Sequence, residues 1–195
     1  TMVHKLVYSP HCYMMFVDVG GEYNKKYHRS LLRWYKHRDK ETAMHQSGML
    51  IGEFGLSPHK KDFDKYLHDI FTNADARHAS WTYWSSDAGG GWSPLTAERK
   101  PTPILQQLVQ VYPQATAGEL LSYSFDPTTK KFEMEFISNA SELPTVIALP
   151  PAIYSNGYQL SISGTTRYKT ETDSKTNTLL IYVAEQSVKV KVNIV

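Results

Sequence analysis

A single acid, Glu53, follows a short apolar run in the stretch SGMLIGEFGLS, residues 47–57, with Gly52 directly before it and Gly55 shortly after it. Short apolar runs bounded by turn residues are typical of buried strands. A carboxylate at the end of such a strand is costly unless it is paired or does chemistry. Glycine lets backbone or ligand approach closely. The stretch therefore predicts an acid at the mouth of a buried strand, with room around it.

Two interpretations of Glu53 stay open at this level. As a capping or ion-paired residue at a strand end, its carboxylate would be purely structural. As an accessible group, the same carboxylate would be suited to nucleophilic or acid–base chemistry. An isolated motif of this length does not separate the two interpretations.

The composition excludes several classes of protein. The 195 residues carry a net charge of +2 with acids and bases dispersed, which gives no electrostatic case for binding nucleic acid. No apolar run approaches the length of a membrane span, and the first ten residues lack the layout of a signal peptide. Cys12 is the single cysteine, so an internal disulfide and a cysteine metal cluster are excluded. We expect no metal and no cofactor.

Strand and helix patterns alternate through the first hundred residues, and these elements must position Glu53. Strands are predicted at 4–9, 49–54 and 79–84, the last running into the glycine-rich loop SSDAGGGWSP. Helices are predicted at 25–45 and 61–74, because apolar residues recur there at helical spacing. The apolar faces contain Tyr27, Leu31, Trp34 and Tyr35 in the first helix, and Phe63, Tyr66, Leu67, Ile70 and Phe71 in the second. Strands that alternate with helices predict a parallel sheet.

The pattern changes after about residue 115, where no helical period appears. Seven short strands are predicted, separated by turn residues, and the last of them alternates apolar and polar residues over 188–194. This arrangement is typical of an antiparallel β-sandwich. Residues 99–118 are predicted to form a last helical turn and a linker.

Three strand ends carry, in chain order, YSPHCY (8–13), LIGEFG (50–55) and SWTYW (80–84). This ordered set resembles strands six, seven and eight of the (β/α)8 barrel of glycoside hydrolase family 5. The later VYPQATAGELLSYSFD resembles the start of the C-terminal sandwich in the endoglycoceramidase branch of that family. The resemblance covers nearly the whole chain. It implies an α/β plus all-β fold, in which the C-terminal part of a (β/α)8 TIM barrel (1–110) precedes an antiparallel β-sandwich domain (111–195).

The resemblance also implies roles for four residues. Glu53 matches the family nucleophile, His11 and Tyr13 match its His-x-Tyr pair, and Trp84 matches its sugar-stacking tryptophan. A retaining glycosidase needs an ionised carboxylate that attacks the anomeric carbon, and a tyrosine hydroxyl can steady that charge. An indole face can stack on the apolar face of a pyranose. Trp81 and Trp92 are alternatives to Trp84 for this role. The structural alternative for each residue is ordinary packing or hydrogen bonding.

One part of the family pattern has no counterpart in this sequence. The family acid/base is a second glutamate, after an asparagine, at the end of strand four. A retaining mechanism requires two carboxyl groups roughly 5–5.5 Å apart. Other acids, such as Glu22 and Glu98, lie in loops without the matching context. We therefore expect this chain to be a C-terminal piece whose partner is the N-terminal portion of the same protein, present as a separate chain.

The resemblance implies a retaining, endoglycoceramidase-like β-glycosidase that cleaves the bond between a glycan and ceramide or a related lipid. One alternative is a β-glucosidase acting on other glucosylated lipids, such as glucosylceramide or a steryl glucoside. An alternative of another class is a non-catalytic glycan- or lipid-binding module. Asn139-Ala140-Ser141 has the pattern of an N-glycosylation acceptor, and a secreted or vesicular, lysosomal-lumen location is expected. A lipid substrate also suggests contact with a membrane surface.

Overall fold

The computed structural model of the chain describes residues 6–14 and 21–195. It divides into two compact units, residues 1–108 and 109–195. The domain boundary predicted from the sequence, after residue 110, lies close to this division. The described helices include none that is long and apolar enough to cross a membrane.

The first unit is built from strands and helices in alternation: β1 (Val7–Tyr8), α1 (Lys25–His45), β2 (Gly48–Ile51), α2 (Phe63–Asp75), β3 (Ser80–Trp81) and α3 (Pro103–Leu108). Its three strands form one parallel sheet in the order β1-β2-β3. Parallel neighbours cannot be joined by a tight hairpin, so a helix returns the chain between β2 and β3. All three strands therefore end at the same edge of the sheet.

The first helix begins and ends where the sequence pattern predicts, the second spans Phe63–Asp75 instead of the predicted 61–74, and both bury the predicted faces. The first residue of α1 follows Asn24, whose side chain accepts a hydrogen bond from the Lys26 backbone N–H, so the helix N-terminus is capped. At its C-terminus Gln46 adopts the left-handed conformation with φ of 48°. The predicted faces of α1 and α2 lie in one core together with Cys12, Met14, Ile51 and Phe54.

The strands of this unit are shorter than predicted. Of the strand predicted over 4–9, only Val7 and Tyr8 form β1. Residues 4 and 5 lie outside the described ranges. The predictions of 49–54 and 79–84 are reduced to β2 and β3. Regular pairing stops at Ile51 of the central strand β2 and at Trp81 of the edge strand β3, where the chain leaves the ladder toward the loops. Glu53 therefore lies two residues beyond its strand.

The second unit contains strands only: β4 (Pro113–Ala115), β5 (Gly118–Asp126), β6 (Lys131–Ser138), β7 (Thr145–Ala148), β8 (Leu160–Ser163), β9 (Tyr168–Asp173), β10 (Thr178–Val183) and β11 (Lys189–Ile194). They form two four-stranded antiparallel sheets, with orders β4-β7-β10-β9 and β5-β6-β11-β8. Side chains from both sheets share one buried core, among them Phe132, Met134, Phe136, Ile147, Leu179, Ile181, Val190 and Val192. This is the arrangement of a β-sandwich.

The alternation predicted at the C-terminus is confirmed. Val190, Val192 and Ile194 are buried, while Lys189 and Lys191 point outward and both contact Glu135 of the neighbouring β6 at 2.6 Å. Hydrogen bonds from these two lysines hold the pKa of the Glu135 carboxyl below its usual value. Opposite charges on the outer face thus accompany the apolar pairs on the inner face.

The prediction of a linker over 99–118 is wrong in one respect, because β4 lies within it. Residues 113–115 form an edge strand against β7, and the Tyr112 carbonyl accepts a hydrogen bond from the Ala148 backbone N–H. A three-residue strand that begins at a proline has no alternation to reveal it, and proline is tolerated at sheet edges. The described part of the second unit consequently has eight strands rather than the predicted seven.

Candidate active site

Backbone hydrogen bonds continue past the ends of β1, β2 and β3 and set the register of the loops that follow. Between the first two loops, Gly52 N–H donates to Pro10 at 2.9 Å, and Cys12 N–H donates to the Glu53 carbonyl at 2.7 Å. Between the second and third loops, Trp84 N–H donates to the Phe54 carbonyl at 2.9 Å. Residues near the strand ends are therefore placed side by side by the sheet itself.

Glu53 is the centre of a three-residue cluster. The Tyr13 hydroxyl donates to Glu53 Oε2 at 3.0 Å, and His11 Nδ1 lies 3.1 Å from the same oxygen. The Glu53 side chain is 32% exposed and that of His11 is 51% exposed. A carboxylate held on one oxygen and still open to solvent is able to act as a nucleophile or a base. The structure thus brings together three of the four predicted site residues.

The surroundings of Gly52 and Gly55 explain why glycines lie near Glu53 in the sequence. A Cβ on Gly52 would lie 2.9 Å from His11 Cδ2 and 3.0 Å from Ser9 Oγ, so the absence of a side chain lets the imidazole reach Glu53. A Cβ on Gly55 would lie 2.5 Å from the Trp84 carbonyl oxygen and 2.9 Å from Trp92 Cε3. Both glycines allow neighbouring loops to approach closely, as their positions in the sequence predicted.

Trp84, the fourth predicted residue, is joined to the cluster through the backbone next to Glu53, and its peptide bond to Ser85 is cis. Its side chain is 51% exposed and lines an open pocket of about 290 Å³. The other residues lining this pocket are Ser85, Asp87, Gly91 and Trp92. An exposed indole at the rim of an open pocket is available for stacking on a ligand.

The two other tryptophans that sequence reasoning considered as platforms lie in different settings. Trp81 packs on Phe71 and Phe54, with ring centroids 4.8 and 5.9 Å away, and is partly buried against the core. Trp92 lies next to both the Trp84 pocket and the Glu53 cluster. It lines the pocket, and its ring centroid is 6.3 Å from that of Tyr13. Its contact with Tyr13 joins residues 79 positions apart, which no local pattern reveals.

Sequence reasoning also missed Thr82, whose hydroxyl donates to the Gly52 carbonyl immediately before Glu53. Its position two residues before Trp84 in the SWTYW stretch is the available sequence clue, since alternate residues of an extended segment face the same side. No group of three or more His, Cys, Asp or Glu side chains suited to a metal ion occurs in residues 6–14 and 21–195.

Comparison with known proteins shows what this chain is similar to. Residues 111–194 match the family described as glycoside hydrolase family 5 C-terminal domain. The chain is 35% identical over 98 residues to endoglycoceramidase I of Rhodococcus hoagii (strain 103S), over 50% of this chain and 19% of that protein. It is 39% identical over 115 residues to an endoglycoceramidase of Cyanea nozakii, over 52% of this chain and 23% of that protein. The chain thus spans about a fifth of the length of these relatives.

Solved structures of endo-glycoceramidase II from Rhodococcus sp. share the fold. The complex with a five-membered iminocyclitol superposes with a TM-score of 0.81 at 23% identity, covering 96% of this chain and 42% of that one. The structure described as a lactosyl-enzyme intermediate has a TM-score of 0.77 at 22% identity, covering 96% and 41%. Likeness over this much of the chain confirms the predicted fold class, a C-terminal part of a TIM barrel followed by a β-sandwich.

The family match covers the second unit of the chain, and the neighbouring structures share the fold of nearly the whole chain. The relatives by sequence are endoglycoceramidases, so the chain is endoglycoceramidase-like and similar to glycoside hydrolase family 5, as the strand-end motifs predicted.

Proposed function

We propose that this chain carries the nucleophile of a retaining β-glycosidase that cleaves the bond between a glycan and ceramide or a related lipid. The observation that supports it most is the convergence of Tyr13 and His11 on Oε2 of Glu53. In a retaining mechanism the carboxylate attacks the anomeric carbon and forms a covalent glycosyl intermediate. A nucleophile fixed at one oxygen is oriented for attack before the substrate arrives, which lowers the entropic part of the barrier.

The relatives support the same chemistry. The proteins similar to this chain in sequence are named endoglycoceramidases, and one structure that shares its fold is a lactosyl-enzyme intermediate. A covalent intermediate of that kind requires a nucleophilic side chain beside the sugar. By analogy, Glu53 is the residue of this chain that attacks the sugar.

His11, Tyr13 and Trp84 are proposed to bind the sugar around Glu53. The imidazole and hydroxyl stand next to the nucleophile, where they are able to hydrogen-bond ring hydroxyls as well as the carboxylate. Trp84 offers an exposed indole face at the rim of the neighbouring pocket. No cofactor is needed for this chemistry, since the two carboxyl groups of a retaining glycosidase do the work.

The second carboxyl group is proposed to come from the N-terminal portion of the same protein, present as a separate chain. The described sheet has open edges at β1 and β3. Leu6, directly before β1, is 56% exposed, and Val7, the first residue of β1, is 65% exposed. Open edges that carry exposed apolar side chains are a site for adding further strands. A barrel needs about eight strands to close, so the partner would supply strands on both sides.

The test is to produce this chain alone and together with the N-terminal portion, and to follow hydrolysis of glycosylated ceramide. We expect turnover with the two portions together and none with this chain alone. Glu53→Gln should abolish turnover while substrate binding persists, because only a transition-state interaction is removed. Glu98→Gln is the matched control, since Glu98 is an exposed acid of the same unit.

Three outcomes of this test would contradict parts of the proposal. Turnover by this chain alone would show that it needs no second portion. Turnover of glucosylceramide or a steryl glucoside without cleavage of longer glycans would favour the β-glucosidase alternative. Saturable glycan binding with no turnover in the assembled protein would favour a binding module.

We further propose that the protein is secreted or lies in a vesicular or lysosomal lumen and carries an N-glycan on Asn139. Residues 139–143, between β6 and β7, are all exposed, so the Asn139-Ala140-Ser141 acceptor is accessible. Expression through a eukaryotic secretory pathway should give a mass shift that a peptide N-glycosidase removes. Asn139→Gln should remove the shift, whereas Asn156→Gln should not. An unshifted mass for the secreted protein would contradict the proposal. Contact with a membrane surface stays a prediction.

A further inference from the structure

Trp92 occupies a position between two segments that each touch the Glu53 cluster. One side of its ring faces Tyr13, with ring centroids 6.3 Å apart and planes inclined by 45°. Its six-membered ring lies over Gly55, where an added Cβ would meet Cε3 at 2.9 Å and Cζ3 at 3.5 Å. Trp92 is partly buried, unlike the exposed Trp84. The indole therefore packs between the loop that carries Tyr13 and the segment that follows Glu53.

Hydrogen bonds from two side chains hold the backbone at Trp92 and at the residue after it. The Tyr83 hydroxyl donates to the Trp92 carbonyl at 2.9 Å, and burial raises the pKa of Tyr83 to about 12. The next residue, Ser93, is buried, and its carbonyl accepts a 2.9 Å hydrogen bond from the Thr102 hydroxyl. The glycine-rich loop is thus held at Trp92 and at the residue that follows it, which fixes the position of the indole.

The Tyr13 ring needs a rigid neighbour to pack against. Its hydroxyl meets Glu53, but an aromatic side chain on a loop keeps one rotamer only when its ring is packed. Rings that lie near Tyr13 in the described part of the chain include those of His11, at 6.4 Å, and Trp92, at 6.3 Å. The His11 side chain is half exposed, whereas Trp92 is partly buried and its backbone is hydrogen-bonded, so Trp92 is held more firmly than His11.

We infer that Trp92 is a positioning residue, which holds the Tyr13 ring so that its hydroxyl stays on Oε2 of Glu53. The inference rests on the proposed function, because it assigns Trp92 a part in orienting the proposed nucleophile. It differs from the platform role that the sequence allowed for Trp92, in which the indole would contact the sugar directly. The two roles separate experimentally, since a platform acts through substrate affinity and a positioning residue acts through Tyr13.

The first test needs no turnover. Crystal structures of the assembled protein are compared for wild type, Trp92→Ala and Trp92→Phe. We expect the Tyr13 Oη–Glu53 Oε2 separation to exceed about 3.5 Å in the alanine variant, beyond hydrogen bonding. It should return near its wild-type length in Trp92→Phe, which keeps a ring beside Tyr13. An unchanged separation in Trp92→Ala would overturn the inference. Trp92→Leu replaces Trp92→Ala if the smaller side chain prevents folding.

The second test is a double-mutant cycle on turnover. If Trp92 acts through Tyr13, Trp92→Ala and Tyr13→Phe should each lower kcat by about 10- to 100-fold, the value of one hydrogen bond to a charged group. In the Tyr13→Phe background, Trp92→Ala should then change kcat by less than about twofold. Additive losses, or a rise in KM with kcat unchanged, would instead identify Trp92 as a separate structural or sugar-binding residue.

The two tests also keep this inference distinct from the proposed function. A wild-type assembly that shows no glycosidase activity would contradict the proposed function, while the crystallographic comparison would still decide whether Trp92 positions Tyr13. An active wild type whose Tyr13–Glu53 hydrogen bond survives Trp92→Ala would leave the function intact and refute the role of Trp92.

Discussion

Tyr13 and Glu53, 40 positions apart in the chain, meet through a 3.0 Å hydrogen bond from the tyrosine hydroxyl to Oε2. The contact forms because the loops after β1 and β2 run side by side, joined by hydrogen bonds between Cys12 and Glu53 and between Pro10 and Gly52. A parallel sheet brings the carboxyl ends of its strands to one edge. The sheet register thus determines the geometry of the candidate site.

Replacing Tyr13 by phenylalanine tests this contact. The ring packing is kept and one hydrogen bond to a charged group is lost, which we expect to lower kcat by about 10- to 100-fold with little change in KM. The measurement is steady-state hydrolysis by the assembled protein. Tyr168→Phe, on the exposed strand β9, is the matched control and should leave kcat unchanged. A Tyr13→Phe variant with wild-type kcat would show that the hydroxyl does nothing for the reaction.

Substituting alanine for Gly55 tests the close approach of the loops. The added Cβ would meet the Trp84 carbonyl at 2.5 Å, and a backbone atom has little freedom to yield. We expect the free energy of unfolding to fall by about 1–3 kcal/mol, the usual cost of overpacking. Gly48→Ala is the control, because no atom lies within 4 Å of its added Cβ. Equal denaturant midpoints for the two variants would contradict the crowded geometry at Gly55.

The buried hydroxyl of Tyr83 predicts a pH dependence at the alkaline end. Burial raises the pKa of Tyr83 to about 12 in the folded chain, whereas an unfolded tyrosine titrates near about 10. As the pH rises, Tyr83 loses its proton first in the unfolded state. Its contribution to the free energy of unfolding is therefore fully present below about pH 10 and is lost as the pH rises toward 12. Urea midpoints measured at pH 8 and 11 should fall less for Tyr83→Phe than for wild type. An equal fall would mean that Tyr83 ionises alike in both states.

The sequence predicted the helices and the sandwich core well, because both are recorded in local periodicity. The prediction of α1 followed from a 3.6-residue apolar spacing that includes Leu31 and Tyr35. The alternation in β11 likewise marks which side chains face the core. In contrast, β4 was not predictable from local pattern. Its three residues, beginning with Pro113, form a strand through pairing with β7, and they show no alternation of apolar and polar residues.

The candidate site also contains residues that were predicted from the sequence and one whose position was not. Glu53, His11 and Tyr13 were predicted to share one site through the resemblance of their strand-end motifs, and a parallel sheet agrees with this because it brings its strand ends to one edge. The part played by Trp92 was not predictable, since it depends on a long loop returning to Gly55 and Tyr13. Loop packing of that kind is decided by tertiary contacts such as the hydrogen bond from Tyr83, which leave no periodic pattern in the sequence.

The measurement that bears most directly on the central claim is covalent labelling of the nucleophile. A 2-deoxy-2-fluoro glycoside slows hydrolysis of the glycosyl intermediate, so the assembled retaining enzyme should retain the sugar on its nucleophilic carboxylate. Peptide mapping should then place the label on Glu53, within GMLIGEFG, and Glu53→Gln should not be labelled. A label on any other residue, or near-normal turnover by Glu53→Gln, would contradict the assignment and leave Glu53 as a structural acid at the end of its strand.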